Sequence, residues 1–128
     1  MAAGTYNFTI EQGATFRRTF KYKDSTGTPI DLALQDPRMQ IRNTINSSDF
    51  IISIEETGAT KTDGSIVSNS NFTVSTVNTG EFSLVIDADT TASMSFDTAV
   101  YDIEIKDNLN EVTRLLQGKI KLSKEVTR

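Results

Sequence analysis

Cysteine, histidine and tryptophan are all missing from this 128-residue chain, and proline occurs only twice. Without cysteine, no disulfide framework can staple the fold and no redox compartment can be inferred. Without cysteine and histidine, transition-metal sites lose their commonest ligands. Without histidine, acid–base catalysis near neutral pH loses its commonest agent. No apolar run approaches the roughly 20 residues needed to span a bilayer, so no membrane partner is expected. The opening Met1–Tyr6 has neither the basic start nor the apolar core of a signal peptide. The expectation is a protein made and kept soluble in a cytoplasm until something else incorporates it. A net charge of −4 and a pI near 4.8 argue against binding nucleic acid, which calls for a surplus of Lys and Arg against the phosphates.

What the chain does contain is strand-forming sequence. Hydrophobic residues make up 37% and charged residues 23%, with Ser, Thr and Asn filling the difference. Thr favours strands and Asn favours turns. Tyr6, Phe8 and Ile10 alternate with polar residues, and Gly13-Ala14 ends that strand. Phe16, Phe20 and Tyr22 then share a face with Arg18 between them, which suits either a cation–π contact or a strand edge where the guanidinium reaches water. Asp24 to Gly27 reads as a hairpin turn. Pro29, which has no N–H to donate, makes Ile30–Leu32 an edge segment or a crossover between sheets. Pro37 pushes Asp36 toward extended backbone, and Met39 and Ile41 follow as inward residues. Phe50, Ile52 and Ile54 form a further strand, and Ile51 between them marks it as central or covered.

The polar stretch Thr57 to Thr79 has only Ile66, Phe72 and Val74 as apolar anchors. It reads either as a long loop or as weak edge strands. Phe82, Leu84 and Ile86 restore alternation. Asp87 to Phe96 does not alternate. Asp89 is placed there as the N-cap of a single helical turn over Asp89–Met94, with Met94 or Phe96 plugging the core. The chain then closes on a hairpin. Tyr101, Ile103 and Ile105 alternate with Asp102, Glu104 and Lys106; Asp107 to Asn110 is turn chemistry; Val112 to Leu122 returns. These spacings predict a single all-β domain over residues 1–128, an antiparallel β-sandwich of about seven to nine short strands.

Carboxylates are the only catalytic candidates. Asp87 and Asp89 stand two apart, which on a strand end could serve Ca²⁺ or a glycosidase pair. The plainer reading, preferred here, is a strand terminus followed by a helix cap. Asp24 and Asp63 fall in turns where Asp bonds locally. Asp102 and Glu104 are expected on an outer face, solvated or paired with Lys119 or Lys121 across the hairpin. Lys119, Lys121 and Lys124 make the end of the chain locally basic, as a solvated face. The glycosylation patterns at Asn7, Asn46 and Asn71 are attributed to chance. Tyr6, Tyr22 and Tyr101 could build a glycan platform, but core packing with the hydroxyl at the rim fits them better. No Ser–base pair, phosphate loop or metal spacing is present. The expectation is therefore no enzyme, no cofactor, and no catalytic or metal residue.

Five short segments carry a resemblance: Ile10–Phe16 with its "EQGATF", Thr26–Leu32 with "GTPIDL", Arg38–Arg42 with "MQIR", the strand from Tyr101 with "YD-E", and Val112 to Arg128 with "VTRLL-G" and "EVTR". In this wording the chain resembles a family of small tailed-bacteriophage virion proteins, across most of its length except about Thr44 to Thr79. It departs from the usual wording at Leu32–Pro37. The resemblance implies an immunoglobulin-like sandwich in a tail or baseplate, present in several copies and held by other virion proteins. Docking surfaces and edge strands would do the work, with the N-terminal strand (Tyr6 to Ile10), the C-terminal strand (Val112 to Leu122) and the loop from Thr57 to Thr79 as the contact elements. A capsid decoration or head–tail connector protein, or a glycan- or receptor-binding module, would use the same fold.

Overall fold

The computed structural model describes residues 4–32, 35–74 and 80–126. Two β-sheets face each other across one apolar core. The larger sheet holds β1 (Gly4–Thr5), β2 (Phe8–Glu11), β4 (Asp36–Arg42), β5 (Ile52–Glu55), β6 (Gly58–Lys61), β7 (Ile66–Val67), β10 (Thr98–Lys106) and β11 (Val112–Ser123). The smaller holds β3 (Phe16–Lys21), β8 (Asn71–Val74) and β9 (Glu81–Ile86). A short helix, α1 (Ala88–Ala92), crosses between β9 and β10. The all-β sandwich read from the alternation is the fold found. With β1 and β2 counted as one strand and the two-residue β7 set aside, nine strands remain among the described residues, within the expected range.

Alternation explains why these segments pair as they do. In β10 every second residue, from Ala99 to Ile105, is buried. In β9, Phe82, Leu84 and Ile86 point inward. Met39 and Ile41 do the same in β4, and Ile52 and Ile54 in β5. Each Ile, Leu, Met or Phe side chain among these taken out of water contributes about 1.5–3 kcal/mol before the entropy of ordering is set against it. Strand β5 lies between β4 and β6, so it is central as Ile51 suggested; Ile51 itself, just before the strand, is half-buried and packs against the core. Met94 and Phe96 are buried beneath the α1 crossing, as expected of core plugs.

Several expectations need correction. The C-terminal strand is not an edge. Strand β11 pairs antiparallel with β10 along one side and parallel with β1 and β2 along the other, because its inward residues Ile120 and Leu122 need cover that β2 supplies. The edge is the N-terminal strand, as expected. Of the two readings of the polar middle, weak strands rather than a long loop is the one found: Gly58–Lys61, Ile66–Val67 and Asn71–Val74 are strands, with Phe72 fully buried. Residues 75–79, the rest of the expected contact loop, lie outside the described residues. So do Ala33 and Leu34 of the divergent Leu32–Pro37 stretch, the opening Met1–Ala3, and Thr127 and Arg128 of the closing wording. Finally, the helix starts earlier than expected: Asp87, not Asp89, is its N-cap residue.

Candidate functional site

The Asp pair singled out in the sequence does not form a site. Asp89 is exposed in the first turn of α1. Asp87 is occupied: its Oδ1 accepts the hydroxyl protons of Ser70 and Thr90, each at 2.5 Å, and Ser70 Oγ in turn accepts the Asp87 N–H at 3.0 Å. Ser70 and Thr90 are almost wholly buried. This cluster ties the start of β8 to the α1 crossing. Burial opposes ionisation of Asp87, but the Ser70 and Thr90 hydrogen bonds outweigh it and hold the carboxyl below its ordinary range. A depressed carboxyl stabilises the fold above its unfolded pKa, and that contribution fades as pH falls through the folded value. Asp87→Asn is therefore expected to lose about 1–3 kcal/mol at neutral pH. In urea unfolding followed down the pH scale, the gap to wild type should close below the ordinary carboxylate range. A gap that stays constant would show that the charge plays no part.

The other candidate carboxylates also serve the scaffold. Asp24 accepts Thr26 N–H, Thr26 Oγ1–H and Thr28 N–H, while Asp63 accepts Ser65 N–H and Oγ–H. These bonds hold both carboxyls below the usual range, led in each case by the Thr26 or Ser65 hydroxyl. On the outer face of the larger sheet, Asp102 and Glu104 meet arginine rather than the expected lysines. Arg114 Nε lies 3.5 Å from Asp102 and Arg38 Nε 3.2 Å from Glu104. The reason is register: Lys119 stands opposite Val100, and Lys121 opposite Thr98. Burial, reinforced by the neighbouring Glu104, raises the Asp102 carboxyl against the pull of Arg114, Arg42 and Arg38.

The resemblance wording at the two ends of the chain meets in space. Gln12 donates from Nε2 to the Met94 carbonyl at 2.8 Å and accepts the Glu125 N–H on Oε1 at 2.9 Å. Beside it, Gly13 takes a φ of +85°, a conformation glycine adopts without strain, and donates its N–H to Thr91 Oγ1 at 3.0 Å. Thr91 donates onward to the Ala14 carbonyl. The "EQGATF" and "EVTR" segments are thus one joint that fastens the β2–β3 turn, the helix and the end of β11.

The tyrosines sit as packing predicts. Tyr101 is buried, donates its hydroxyl to the Tyr6 carbonyl, and has its phenol pushed up to about 12 by burial and by Tyr6. Tyr6 and Tyr22 are half-buried. Arg18 lies over the Tyr6 ring at 5.5 Å and the Phe16 ring at 5.8 Å, so the cation–π alternative is realised. Asn7, read as a chance glycosylation pattern, accepts the Lys119 N–H on Oδ1 at 2.9 Å.

One feature that sequence reading missed is a groove of about 560 Å³ along the seam between β1 of one sheet and β3 of the other. Its floor is Phe20, Phe82, Leu115 and Leu116, and Tyr6 and Tyr22 also line it. A bulge makes the floor: the β10–β11 register shifts after Ile103, so that Leu116 opposes Ile103 and Arg114 opposes Glu104. Leu115 is the extra residue. The adjacent Leu115-Leu116 pair broke the alternation of β11 and was the available signal.

Among the described residues, no grouping of three or more metal-ligating side chains converges, no buried side-chain N or O atom lacks a hydrogen-bond partner, and no helix is long and apolar enough to cross a membrane. No family model and no curated protein matches the chain.

Proposed function

We propose that this protein is a structural component of a tailed-phage virion, a tail or baseplate subunit that works by docking neighbouring virion proteins. It is not an enzyme in this reading and takes no cofactor. It is present in several copies in a symmetric assembly put together in the host cytoplasm. The observation that carries the proposal is how the polar residues are used. Asp24, Asp63, Asp87 and Gln12 are committed to turns, caps and joints, whereas the strand edges β1 and β3 border an open groove. A scaffold with committed polar groups and unpaired edges suits contact by surface and by strand addition.

The immunoglobulin-like part of the proposal is supported by strand order. The larger sheet runs β11-β10-β4-β5-β6 and the smaller β3-β9-β8, the order of a variable-type sandwich in which two further strands extend the G-F-C sheet. The wording shared with phage virion proteins supplies the assignment to a particle.

The test is made on purified phage particles that encode the chain. Mass spectrometry should recover it as a stoichiometric component, and cryo-EM density for the sandwich should lie in the tail or baseplate. Density on the head or in the neck would replace this reading with a decoration or connector role. Absence from intact particles would overturn it.

A further inference from the structure

We propose that the seam groove is a strand-addition site for an extended acidic segment of another polypeptide, in which carboxylates alternate with apolar residues. The proposal rests on the reading of this protein as a docking module, and gives that module a side and a partner chemistry. The rim carries Arg18, Lys21, Lys23 and Arg114, and no carboxylate lines the groove. Four of the chain's 13 Lys and Arg residues fall within positions 17–23, although the molecule as a whole carries −4. Among the described residues the ion pairs join Arg38 to Glu104, Arg114 to Asp102, and Lys124 to Asp97. Arg18, Lys21 and Lys23 belong to none of them. A local cationic rim on an acidic protein attracts carboxylates and orients an incoming acidic chain.

The shape of the groove calls for an extended polypeptide. Among the described residues, strand β3 pairs only with β9, and β1 only with β11. The six residues of β3 offer about 20 Å of edge. A strand laid along that edge sends alternate side chains down to Phe20, Phe82, Leu115 and Leu116 and the others out to the cations. Backbone hydrogen bonds supply affinity and the alternation supplies selectivity. A second copy of this chain is disfavoured as the occupant. Two copies meeting here would bring two clusters of Arg17, Arg18, Lys21 and Lys23 into one seam whose lining holds no carboxylate to offset them.

The experiment uses the full chain and a fluorescein-labelled peptide, Val-Glu-Val-Asp-Ile-Glu-Val, in anisotropy titrations at low salt. Controls are the same peptide with lysine at each acidic position and a version N-methylated at alternate amides. The acidic peptide should bind at least tenfold tighter than either control. The double variant Lys21→Gln/Lys23→Glu, which keeps a second glutamate from facing Glu81 across the β3–β9 ladder, should weaken the acidic peptide tenfold or more and take up the lysine peptide more readily than the wild type does, with an unchanged melting temperature. Both lysines are on the exposed surface; should the pair disturb folding, Lys23→Glu alone is expected to shift the same preference in the same direction.

Equal binding of acidic and lysine peptides, or indifference to N-methylation, would overturn the proposal. So would binding of an oligonucleotide or sulfated oligosaccharide in place of the peptide, or self-association in sedimentation that the double variant abolishes. Virion composition is read separately. A chain found in particles that refuses the peptide overturns the groove alone; a chain that binds the peptide but is absent from particles overturns the virion reading alone.

Discussion

Gly118→Ala is expected to destabilise the protein by about 3 kcal/mol, the upper part of the range for forcing extra volume into a packed site. A Cβ at this position would stand 2.2 Å from the Tyr6 carbonyl oxygen and 2.9 Å from the Tyr6 carbonyl carbon. These are backbone atoms and cannot swing aside. They come so close because the edge strand leaves its ladder there and then returns to it. Gly4 and Thr5 pair with Leu116 and Gln117, and Phe8 to Glu11 pair with Ile120 to Ser123, on one unbroken register. Between them the Tyr6 N–H donates to the Gln117 carbonyl at 3.0 Å, while the Tyr6 carbonyl takes the Tyr101 hydroxyl. Asn7 Oδ1 accepts the Lys119 N–H. Glycine at 118 is what allows this crossing.

Urea unfolding measures the loss, and limited proteolysis should find the N-terminal strand released first. Tyr101→Phe would leave the Tyr6 carbonyl without its donor, at about 1–3 kcal/mol. Because both substitutions act on that one carbonyl, the double variant should lose less than their sum. Strict additivity would show that the Tyr101 bond and the Gly118 approach are independent, contrary to this description.

Much of this architecture was written in side-chain alternation, which reports which way a residue points. Strands β4, β9 and β10 could be read this way because their buried and less buried residues alternate throughout, with Val85 and Val100 as apolar exceptions on the outer side. Alternation does not report which strand lies alongside, so it leaves β11 looking like an edge although β2 pairs along it. It is also weak where apolar residues are few. Strands β6 and β7 are held by ladder hydrogen bonds to β5 and to each other, and little in their side chains marks them. At the helix start, Asp89 has the composition of a cap, but Asp87 is the residue engaged, by Thr90 three positions on and by Ser70, which is distant in sequence and comes near only through the fold. The groove was legible in fragments. Arg18 among aromatics and the Leu115-Leu116 pair were each visible, but they lie on strands of different sheets and meet only through the fold.

Phe82→Ala is expected to cost about 3–5 kcal/mol, the usual range for truncating a buried phenylalanine. The smaller sheet has three strands, so β9 is its only central one, and Phe82 sits at the middle of the aromatic packing there. Its ring stacks on Phe20 at 5.3 Å and meets Phe72 at 5.9 Å, and it is 1% exposed. Phe20 and Val74 stand opposite it on the flanking strands. Removing the ring therefore unsupports both edges of the sheet together, and among the described residues neither edge has a further neighbouring strand that could move in. Phe20→Ala, at a half-buried edge position, should cost about half as much, since the transfer and cavity contributions both scale with what is buried. Thermal unfolding resolves the difference: each kcal/mol should shift the midpoint by about 3–5 °C for a domain of this size. A Phe82→Ala loss below about 1 kcal/mol would mean that β3 and β8 close over the gap, and that the floor of the groove is not the packed surface described. A large loss for Phe82 and a small one for Phe20 would place the strength of the smaller sheet in its central strand. The β3 edge would then be free to receive a partner without carrying the stability of the fold.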